Sequence, residues 1–374
     1  MHPINECVVK LTARCNINCD YCYEFNLGDE SWRQQPRKMS LAVARQLATR
    51  IAEHAMQHNL SRIMIGLHGG EPLLAGAKHL DAVVGAFRAI ERTGLTVDVS
   101  VQTNAILVTS EICEVLNKHN IGVGVSIDGN KANNDVHRVD HRGKSSWQAT
   151  IDGLACLRAN APSQLSGLLA VIDVNSDPIE VFDAIADLGI RDVDFLLQHF
   201  HWDRLPPRPN ADDAAYGKWW FAIWQAWARG RHANLRIRFL EQLVRHLAGG
   251  RSIYEWGALE PASLVVIASD GAIEGVDAMK SAATGVQRLG YSVFTHTFDE
   301  VLAHELVRAR QNGLGGLCST CQACPEAKVC GGGYFPHRWG RGRGYDNPSV
   351  YCTDLLWLIG EIRQDIRNLR KSAA

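Results

Sequence analysis

The sequence predicts an α/β fold in which six parallel strands wind into a partial (β/α)6 barrel of the TIM type or an open sheet. Two observations carry this prediction. Six short β-rich runs alternate with five amphipathic helical segments over the first 200 residues, which is typical of parallel β/α units. Polar, glycine-rich or cysteine-rich motifs also follow the first four runs directly, and parallel β/α folds collect functional residues at the carboxyl ends of their strands.

Each element is predicted from its periodicity and composition. The expected strands are Cys7–Thr12, Arg62–Leu67, Val97–Thr103, Gly122–Ile127, Leu168–Val174 and Asp192–Leu197. The expected helices between them are Ser40–His58, Lys78–Arg92, Ser110–His119, Ser146–Asn160 and Pro178–Leu188. Crossovers of this kind are nearly always right-handed, so the units should wind in one direction.

After Gln198 the chain changes character, because a proline-rich stretch replaces the next β/α unit. We therefore predict three segments: the partial barrel over 1–200, a helical bridging region over 201–260, and a carboxyl-terminal domain over 261–374. The helices expected here are about 212–229, 236–248 and 353–370. Residues 263–279 are predicted to form a hairpin that turns at Asp270 and Gly271.

Composition excludes several classes of protein. Of the 374 residues, 39 are Lys or Arg and 40 are Asp or Glu, so the formal net charge of −1 is too small to attract nucleic acid or an anionic membrane. No apolar run approaches the roughly 18 residues of a membrane span, and the amino end lacks an export signal. Eleven cysteines in such a chain indicate reduced metal ligands in the cytoplasm.

The first cysteine cluster has the spacing C-x3-C-x2-C, formed by Cys15, Cys19 and Cys22 directly after the first predicted strand. Three thiolates can hold three irons of a cubane and leave the fourth iron open to another ligand. A structural zinc site would require a fourth protein ligand, and the nearest histidines in sequence are His2 and His54. Zinc remains the alternative for these three thiols.

This spacing, its position after strand one and the aromatic Tyr21 before the third cysteine resemble the radical S-adenosylmethionine (SAM) superfamily. The resemblance implies a [4Fe–4S] cluster coordinated by three cysteines and by SAM itself. It also implies reductive cleavage of SAM to methionine and a 5′-deoxyadenosyl radical.

Residues after the second, third and fourth predicted strands match the SAM-binding pattern of the same family, with Arg138 further along the chain. The residues that the resemblance assigns to SAM are Tyr21, Gly69, Gly70, Glu71, Pro72, Gln102, Thr103, Asn104, Ser126, Asp128 and Arg138. Glu71 is expected to meet the SAM ammonium group. Ala105 stands where the family usually has glycine, and Arg138 and the neighbouring Arg142 are also compatible with solvated loop charges.

The second cysteine cluster lies near the carboxyl end. It comprises Cys318, Cys321, Cys324, Cys330 and Cys352. Four of these thiols suffice for a closed site, and structural zinc is the alternative occupant. Without Cys318 the set resembles half of a SPASM domain, the auxiliary-cluster module of many radical SAM peptide-modifying enzymes, so one auxiliary [4Fe–4S] cluster is expected. Cys318 is a spare thiol that could substitute as a ligand.

Two stretches, 330–338 and 346–355, resemble a narrower group. This group comprises maturases of ribosomally made peptides, of the FxsB and XyeB type, which join an aromatic ring carbon to the β-carbon of a nearby residue. The resemblance implies a cyclophane-forming enzyme whose substrate is a precursor peptide. Asp277 is the candidate base that removes a proton as the ring regains aromaticity, and a structural hydrogen-bonding role is its alternative.

Partners and competing functions follow from the same resemblance. A ferredoxin- or flavodoxin-type protein is expected to supply electrons, and neither nucleic acid nor membrane is expected to bind. Because the first strand begins close to residue 1, peptide recognition should use the core fold or a partner. Candidate surfaces are the Trp-rich helix near 219–227, the proline stretch, and the cationic loop of Arg338, Arg341 and Arg343.

Alternative functions are formylglycine formation in a sulfatase, thioether formation, epimerisation, or non-catalytic binding by a metal-stabilised scaffold.

Overall fold

The computed structural model describes residues 1–251 and 259–372, so part of the predicted bridging region, residues 252–258, lies outside the described residues. The strands are β1 Glu6–Thr12, β2 Arg62–Gly69, β3 Thr96–Thr103, β4 Gly122–Ser126, β5 Leu165–Val171, β6 Asp192–Leu196, β7 Arg236–Ile237, β8 Leu264–Ile267, β9 Ala272–Glu274 and β10 Arg288–Ser292. The helices are α1 Leu41–Gln57, α2 Ala77–Arg88, α3 Ser110–His119, α4 Lys131–His137, α5 Trp147–Asn160, α6 Pro178–Asp187, α7 Ala215–Ala228, α8 Arg238–Leu247, α9 Phe298–Leu302, α10 Glu305–Gln311, α11 Ser319–Gln322, α12 Ala327–Cys330 and α13 Cys352–Ser372.

The chain divides into two compact units that interleave along the sequence. The first contains residues 1–127, 134–168 and 263–309, and the second contains 128–133, 169–262 and 310–374. This division differs from the predicted boundaries at 200 and 260, because the hairpin β8–β9 groups with the first strands of the chain rather than with the residues around the second cysteine cluster.

The first unit is built on a sheet whose strand order is β10-β9-β8-β1-β2-β3-β4-β5. Parallel pairing places Cys7 of β1 between Ile65 of β2 and Val265 of β8. All three side chains are fully buried, which fits strands covered on both faces. The predicted parallel α/β fold with an open sheet is therefore confirmed. The antiparallel pairs β8–β9 and β9–β10 confirm the predicted hairpin and extend it by one strand.

Local signals explain where the helices begin. The Ser40 hydroxyl caps α1 by accepting from the Val43 backbone N–H, and Thr297 with Glu300 forms a capping box at α9. The loops that follow β1, β2, β3 and β4 all leave the sheet at one edge, since parallel strands end on the same side. That edge carries the motifs predicted to bind SAM.

In the second unit the end of β5 is followed in the sheet by β6 and β7. Helix α7 packs against α13, and Trp219, Trp220 and Trp224 of α7 are buried. The Trp224 indole N–H donates to Asp365 at 2.8 Å. These tryptophans therefore build the core of this unit, which removes them as candidates for a peptide groove.

Across residues 1–251 and 259–372, no helix is long and apolar enough to cross a membrane.

Candidate functional site

The first cysteine cluster lies in the loop directly after β1, as the sequence predicts. Cys19 is buried, and Cys15 and Cys22 are half-buried; all three are free thiols. The loop turns tightly, because the Cys22 backbone N–H donates to the Cys19 carbonyl at 3.1 Å. Burial raises the pKa of Cys15 to about 12 and also raises that of Cys22. Thiols of this kind lose their protons when they bind a metal centre, so iron binding here would release protons.

The glycines after β2 are required by the backbone of the cysteine loop. A Cβ on Gly69 would lie 2.2 Å from the Thr12 carbonyl oxygen, and one on Gly70 would lie 2.1 Å from that of Arg14. The Gly70 and Glu71 backbone N–H groups donate to these same two oxygens. The loop that precedes Cys15 is therefore held directly against the Gly69–Gly70 turn, and no side chain fits between them.

Glu71 is the central acceptor of this turn. Its Oε1 accepts from the Leu73 N–H and the Thr103 hydroxyl at 2.9 and 2.7 Å, and its Oε2 accepts from the Asn104 N–H at 2.9 Å. Burial raises the pKa of Glu71, although these three donors act in the opposite direction. A carboxylate offers about four acceptor positions, so one position on Oε2 is left for a further donor such as an ammonium group.

The residues predicted at the ends of β3 and β4 are joined to the same network. The Gln102 amide donates to the Ser126 hydroxyl at 2.7 Å, and the Asn104 amide donates to Asn16, next to Cys15, at 2.8 Å. Ala105 has a φ of 62°, so the left-handed turn forms here without the glycine that the family usually carries. The motifs after β1, β2 and β3 therefore converge.

Arg138 and Tyr21 also meet, since the buried guanidinium donates to the Tyr21 hydroxyl at 3.0 Å. This burial makes Arg138, rather than Arg142 in its exposed loop, the candidate for a carboxylate ligand. Asp128 groups with the second unit, where its carboxylate accepts from the Val171 N–H at 2.9 Å.

Asp277 lies just after β9 in a buried ion cluster that sequence reasoning missed. Its Oδ2 is 2.6 Å from the Lys10 ammonium of β1 and accepts from the Tyr23 hydroxyl at 2.8 Å. Burial would raise the pKa of Asp277, but Lys10, His68 and the two hydrogen bonds hold it well below its usual range. A buried lysine inside an apolar strand run was the available signal, because such a residue needs a charged partner.

The second unit brings the five carboxyl-terminal cysteines together. Cys318 and Cys321 are buried, and Cys324, Cys330 and Cys352 are half-buried. Burial raises the pKa of Cys321 to about 12, and Cys318, Cys330 and Cys352 raise it further through their proximity. Cys352 in turn interacts with Cys324 and Cys318. Five thiols in one place suit a cluster that takes four ligands and leaves one spare.

The glycine run after Cys330 shapes this second site. Gly331, Gly332 and Gly333 all have positive φ, from 58° to 74°. The N–H groups of Gly332 and Gly333 donate to the Cys330 sulfur and favour its thiolate, although burial raises its pKa to about 11. Backbone N–H groups aimed at a sulfur are suited to an iron–sulfur ligand.

Arg338 binds the carbonyl groups of the same three glycines. Its guanidinium is buried and donates to the carbonyl oxygens of all three glycines, at 2.6–3.0 Å. The prediction that Arg338 belongs to a cationic surface loop is therefore wrong, because its charge is satisfied by three backbone carbonyls. Arg341 and Arg343 remain exposed.

A separate group of possible metal ligands has another role. Ligand atoms of His54, His58 and Asp299 all lie within 4.8 Å of one another. The Ile4 N–H donates to His54 Nε2 at 3.0 Å, so the neutral ring carries its proton on Nδ1, which faces Asp299 at 3.5 Å. Because the protonated nitrogen cannot bind a metal, these residues instead connect the amino end, α1 and α9.

Comparison with known families agrees with the site. Residues 9–185 match the model of the radical SAM superfamily. This segment is a radical SAM domain. The cofactors of such a domain are a [4Fe–4S] cluster and SAM. The segment contains the residues predicted to bind them, namely the Cys15–Cys22 loop, Glu71, Asn104 and Arg138.

Two curated relatives extend the comparison. The serine-type anaerobic sulfatase-maturating enzyme of Klebsiella aerogenes is 26% identical over 379 aligned residues, covering 98% of this chain and 89% of that enzyme. The radical SAM cyclopropyl synthase TigE of Paramaledivibacter caminithermalis is 29% identical, but over only 40% of this chain and 32% of that enzyme.

Two solved structures share the fold. The structure described as native anSMEcpe with bound AdoMet has a TM-score of 0.82 and 18% identity, and covers 99% of this chain and 100% of its own. Streptococcus suis SuiB has a TM-score of 0.64 and 15% identity, and covers 93% of this chain and 77% of its own. At these identities the likeness shows the fold alone.

Proposed function

We propose that this chain is a radical SAM enzyme that oxidises the β-carbon of a residue in a peptide or protein. The observation that carries the proposal is the convergence of the Cys15–Cys22 loop with Glu71 and Asn104 at one edge of the sheet. SAM bound to a cluster on Cys15, Cys19 and Cys22 supplies a 5′-deoxyadenosyl radical. Glu71 would accept from the SAM ammonium, and Arg138 would pair with its carboxylate.

The product we propose is a cyclophane, in which an aromatic ring carbon of a ribosomally made precursor peptide is joined to a nearby β-carbon. Two features support it: the resemblance of the Cys330-Gly-Gly-Gly stretch, whose carbonyl oxygens bind Arg338, and the resemblance of the segment 346–355, which contains Cys352. Asp277 would accept the proton that the ring loses. A ferredoxin- or flavodoxin-type protein would deliver the electrons.

We propose that residues 310–374, the part of the predicted segment 261–374 that groups with the second unit, supply the auxiliary-cluster module, with Cys321, Cys324, Cys330 and Cys352 as ligands and Cys318 as the spare thiol. Such a cluster would take up the electron released when the ring regains aromaticity. The two N–H groups directed at Cys330 are suited to one of its ligands.

Sulfatase maturation is the second candidate. It is favoured by the alignment with the serine-type enzyme of Klebsiella aerogenes, which is 26% identical and covers 98% of this chain. Oxidation of a serine to formylglycine also begins at a β-carbon and also loses two hydrogens, so intact mass alone does not separate the two products.

The experiment tests two kinds of substrate in separate reactions. One is each short peptide encoded beside the gene, co-expressed with the enzyme; the other is a synthetic peptide with serine in a sulfatase-type sequence. A crosslink is expected to remove two hydrogens and to suppress backbone fragmentation between the joined residues. Formylglycine would instead react with a hydrazide. Reaction of the product with hydrazide would overturn the cyclophane assignment, and absence of 5′-deoxyadenosine would overturn the enzyme proposal as a whole.

A further inference from the structure

Lys10 occupies an unusual position for a lysine. It lies near the carboxyl end of the central strand β1, two residues before Thr12 ends the strand, and is 3% exposed. Its ammonium is shared by two carboxylates, Asp277 at 2.6 Å and Glu24 at 2.5 Å. Taking a charge out of water is costly, so a strand retains one only where partners compensate it.

The cluster continues beyond Lys10. The Lys280 ammonium is 3.0 Å from Glu24 and 3.3 Å from Glu274, so two ammonium groups face three carboxylates. Of these five side chains Asp277 is the most exposed, at 14%, against 4–8% for the others. Asp277 is therefore the member through which a proton can enter from a bound substrate.

We propose that Lys10 is the positioning residue of this proton acceptor: its ammonium orients the Asp277 carboxylate and keeps it ionised, while Glu24 keeps the ammonium paired after the proton arrives. This inference rests on the proposed role of Asp277. It assigns to Lys10 no contact with substrate or cofactor.

The shared ion pair matches the chemistry of the proposed step. The ring carbon that has gained the new C–C bond loses its hydrogen as a proton to Asp277. Of the two C–H electrons left behind, one would pass to the auxiliary cluster and the other would restore the aromatic ring. Once Asp277 is neutral, Lys10 still has Glu24 at 2.5 Å, so no buried ammonium is left without a carboxylate.

Several groups face Asp277 from the surrounding elements. Lys10 comes from β1, His68 from β2, Tyr23 and Glu24 from the cysteine loop, and Lys280 from the short helix that Asp277 itself begins. Burial lowers the pKa of His68 to about 4, so its ring is neutral near pH 7. Lys10 is therefore the nearest positive charge that opposes the effect of burial on Asp277.

The test uses Lys10→Met in the reconstituted full-length enzyme, with the peptide that co-expression shows to be modified. Initial rates of crosslinked product and of 5′-deoxyadenosine are measured from pH 6 to pH 9. Without Lys10, burial should raise the pKa of Asp277. In the parent, whose Asp277 pKa lies well below this range, product formation should show no acid limb due to Asp277, whereas Lys10→Met should show one, with about a tenfold loss of rate toward pH 6. 5′-Deoxyadenosine formed per bound iron without peptide is measured in both proteins, so that a loss of cluster or SAM binding is separated from a loss of proton transfer.

Matched variants separate this role from a purely structural one. Lys10→Arg retains the charge and should restore the parent pH profile. The double variant Lys10→Met/Glu24→Gln removes one charge of each sign and should keep the acid limb, because Asp277 still lacks its ammonium partner. A parent profile in that double variant, or in Lys10→Met itself, would overturn the proposal.

If Lys10→Met does not fold, Glu24→Gln carries the test. Asp277 is then the only one of the two carboxylates that still pairs with the Lys10 ammonium. This undivided pairing should make the Asp277 carboxylate a weaker proton acceptor. Product formation is then expected to fall about tenfold without the acid limb of Lys10→Met. Parent-like product formation in Glu24→Gln would contradict the shared pairing. Absence of modified peptide from the parent enzyme would instead refute the proposed function.

Discussion

At the residue scale, Ala105 shows how one position can keep a backbone shape without the residue that best suits it. It is fully buried, its φ is 62°, and it sits at the turn that places Asn104 against Glu71. Alanine tolerates this conformation at a moderate cost, whereas a β-branched side chain does not.

Ala105→Val should therefore destabilise the protein by about 2 kcal/mol more than Ala170→Val, where alanine is equally buried in the ordinary strand β5. Urea unfolding of both variants measures the difference. Equal losses of stability would show that the left-handed turn relaxes freely.

His337 gives a pH dependence at a single residue. It is buried, and burial together with His199, His201 and Arg338 holds its pKa well below the usual value. The folded protein then resists protonation while the unfolded chain accepts it. The stability contributed by this residue is complete above pH 6.5 and is lost as the pH falls.

From pH 6.5 to pH 5 this loss should amount to about 2 kcal/mol. In His337→Gln the unfolding free energy should decline less steeply over that range by the same amount, whatever the stability of the variant at pH 7. Denaturant unfolding at both pH values tests this. Parallel pH dependences in parent and variant would show that His337 is not kept neutral.

At the element scale, the packing of α7 on α13 depends on a close approach of backbones. A Cβ on Gly217 would lie 2.5 Å from the Asp354 carbonyl oxygen, so the helices can meet here only through glycine. Gly85, inside α2, has no such neighbour within 4 Å. The two positions form a matched pair of helical glycines.

Gly217→Ala is expected to cost about 2 kcal/mol or more, since the overpacked carbonyl cannot move without its helix. Gly85→Ala should stabilise the protein by about 0.5–1 kcal/mol through helix propensity. Thermal unfolding of the two variants provides the comparison. A neutral Gly217→Ala would show that α13 shifts easily.

At the scale of the whole molecule, the two cysteine groups lie in separate compact units and should load independently. The parent protein should bind about eight iron atoms after anaerobic reconstitution, four at each site. Cys22→Ser is expected to retain about four and to lose SAM cleavage. The double variant Cys318→Ser/Cys330→Ser, which also removes the spare thiol, should likewise retain about four, but should still form 5′-deoxyadenosine.

Iron analysis and nucleoside chromatography measure both quantities. Loss of SAM cleavage in Cys318→Ser/Cys330→Ser would contradict independent sites, and zinc in place of iron would remove the radical mechanism.

Much of the fold could be read from the sequence because its signals are local. Strand and helix periodicity placed the first six strands within a few residues, and turn chemistry located the β8–β9 hairpin at Asp270 and Gly271. The cysteine spacings and the Gly69–Gly70–Glu71 turn also require only short stretches of chain. Side-chain period and loop stereochemistry are properties of neighbouring residues, so sequence alone determined them.

Contacts between residues distant in sequence were decided by the tertiary structure. The pairing of β8 with β1 brings Asp277 to Lys10, 267 positions away, and no local pattern encodes which strand edge a hairpin joins. The same holds for Arg338, which looks like a surface charge until the three glycine carbonyls that it binds are seen. A sequence states which groups a chain carries, but burial and pairing of charges depend on the packing of the folded chain.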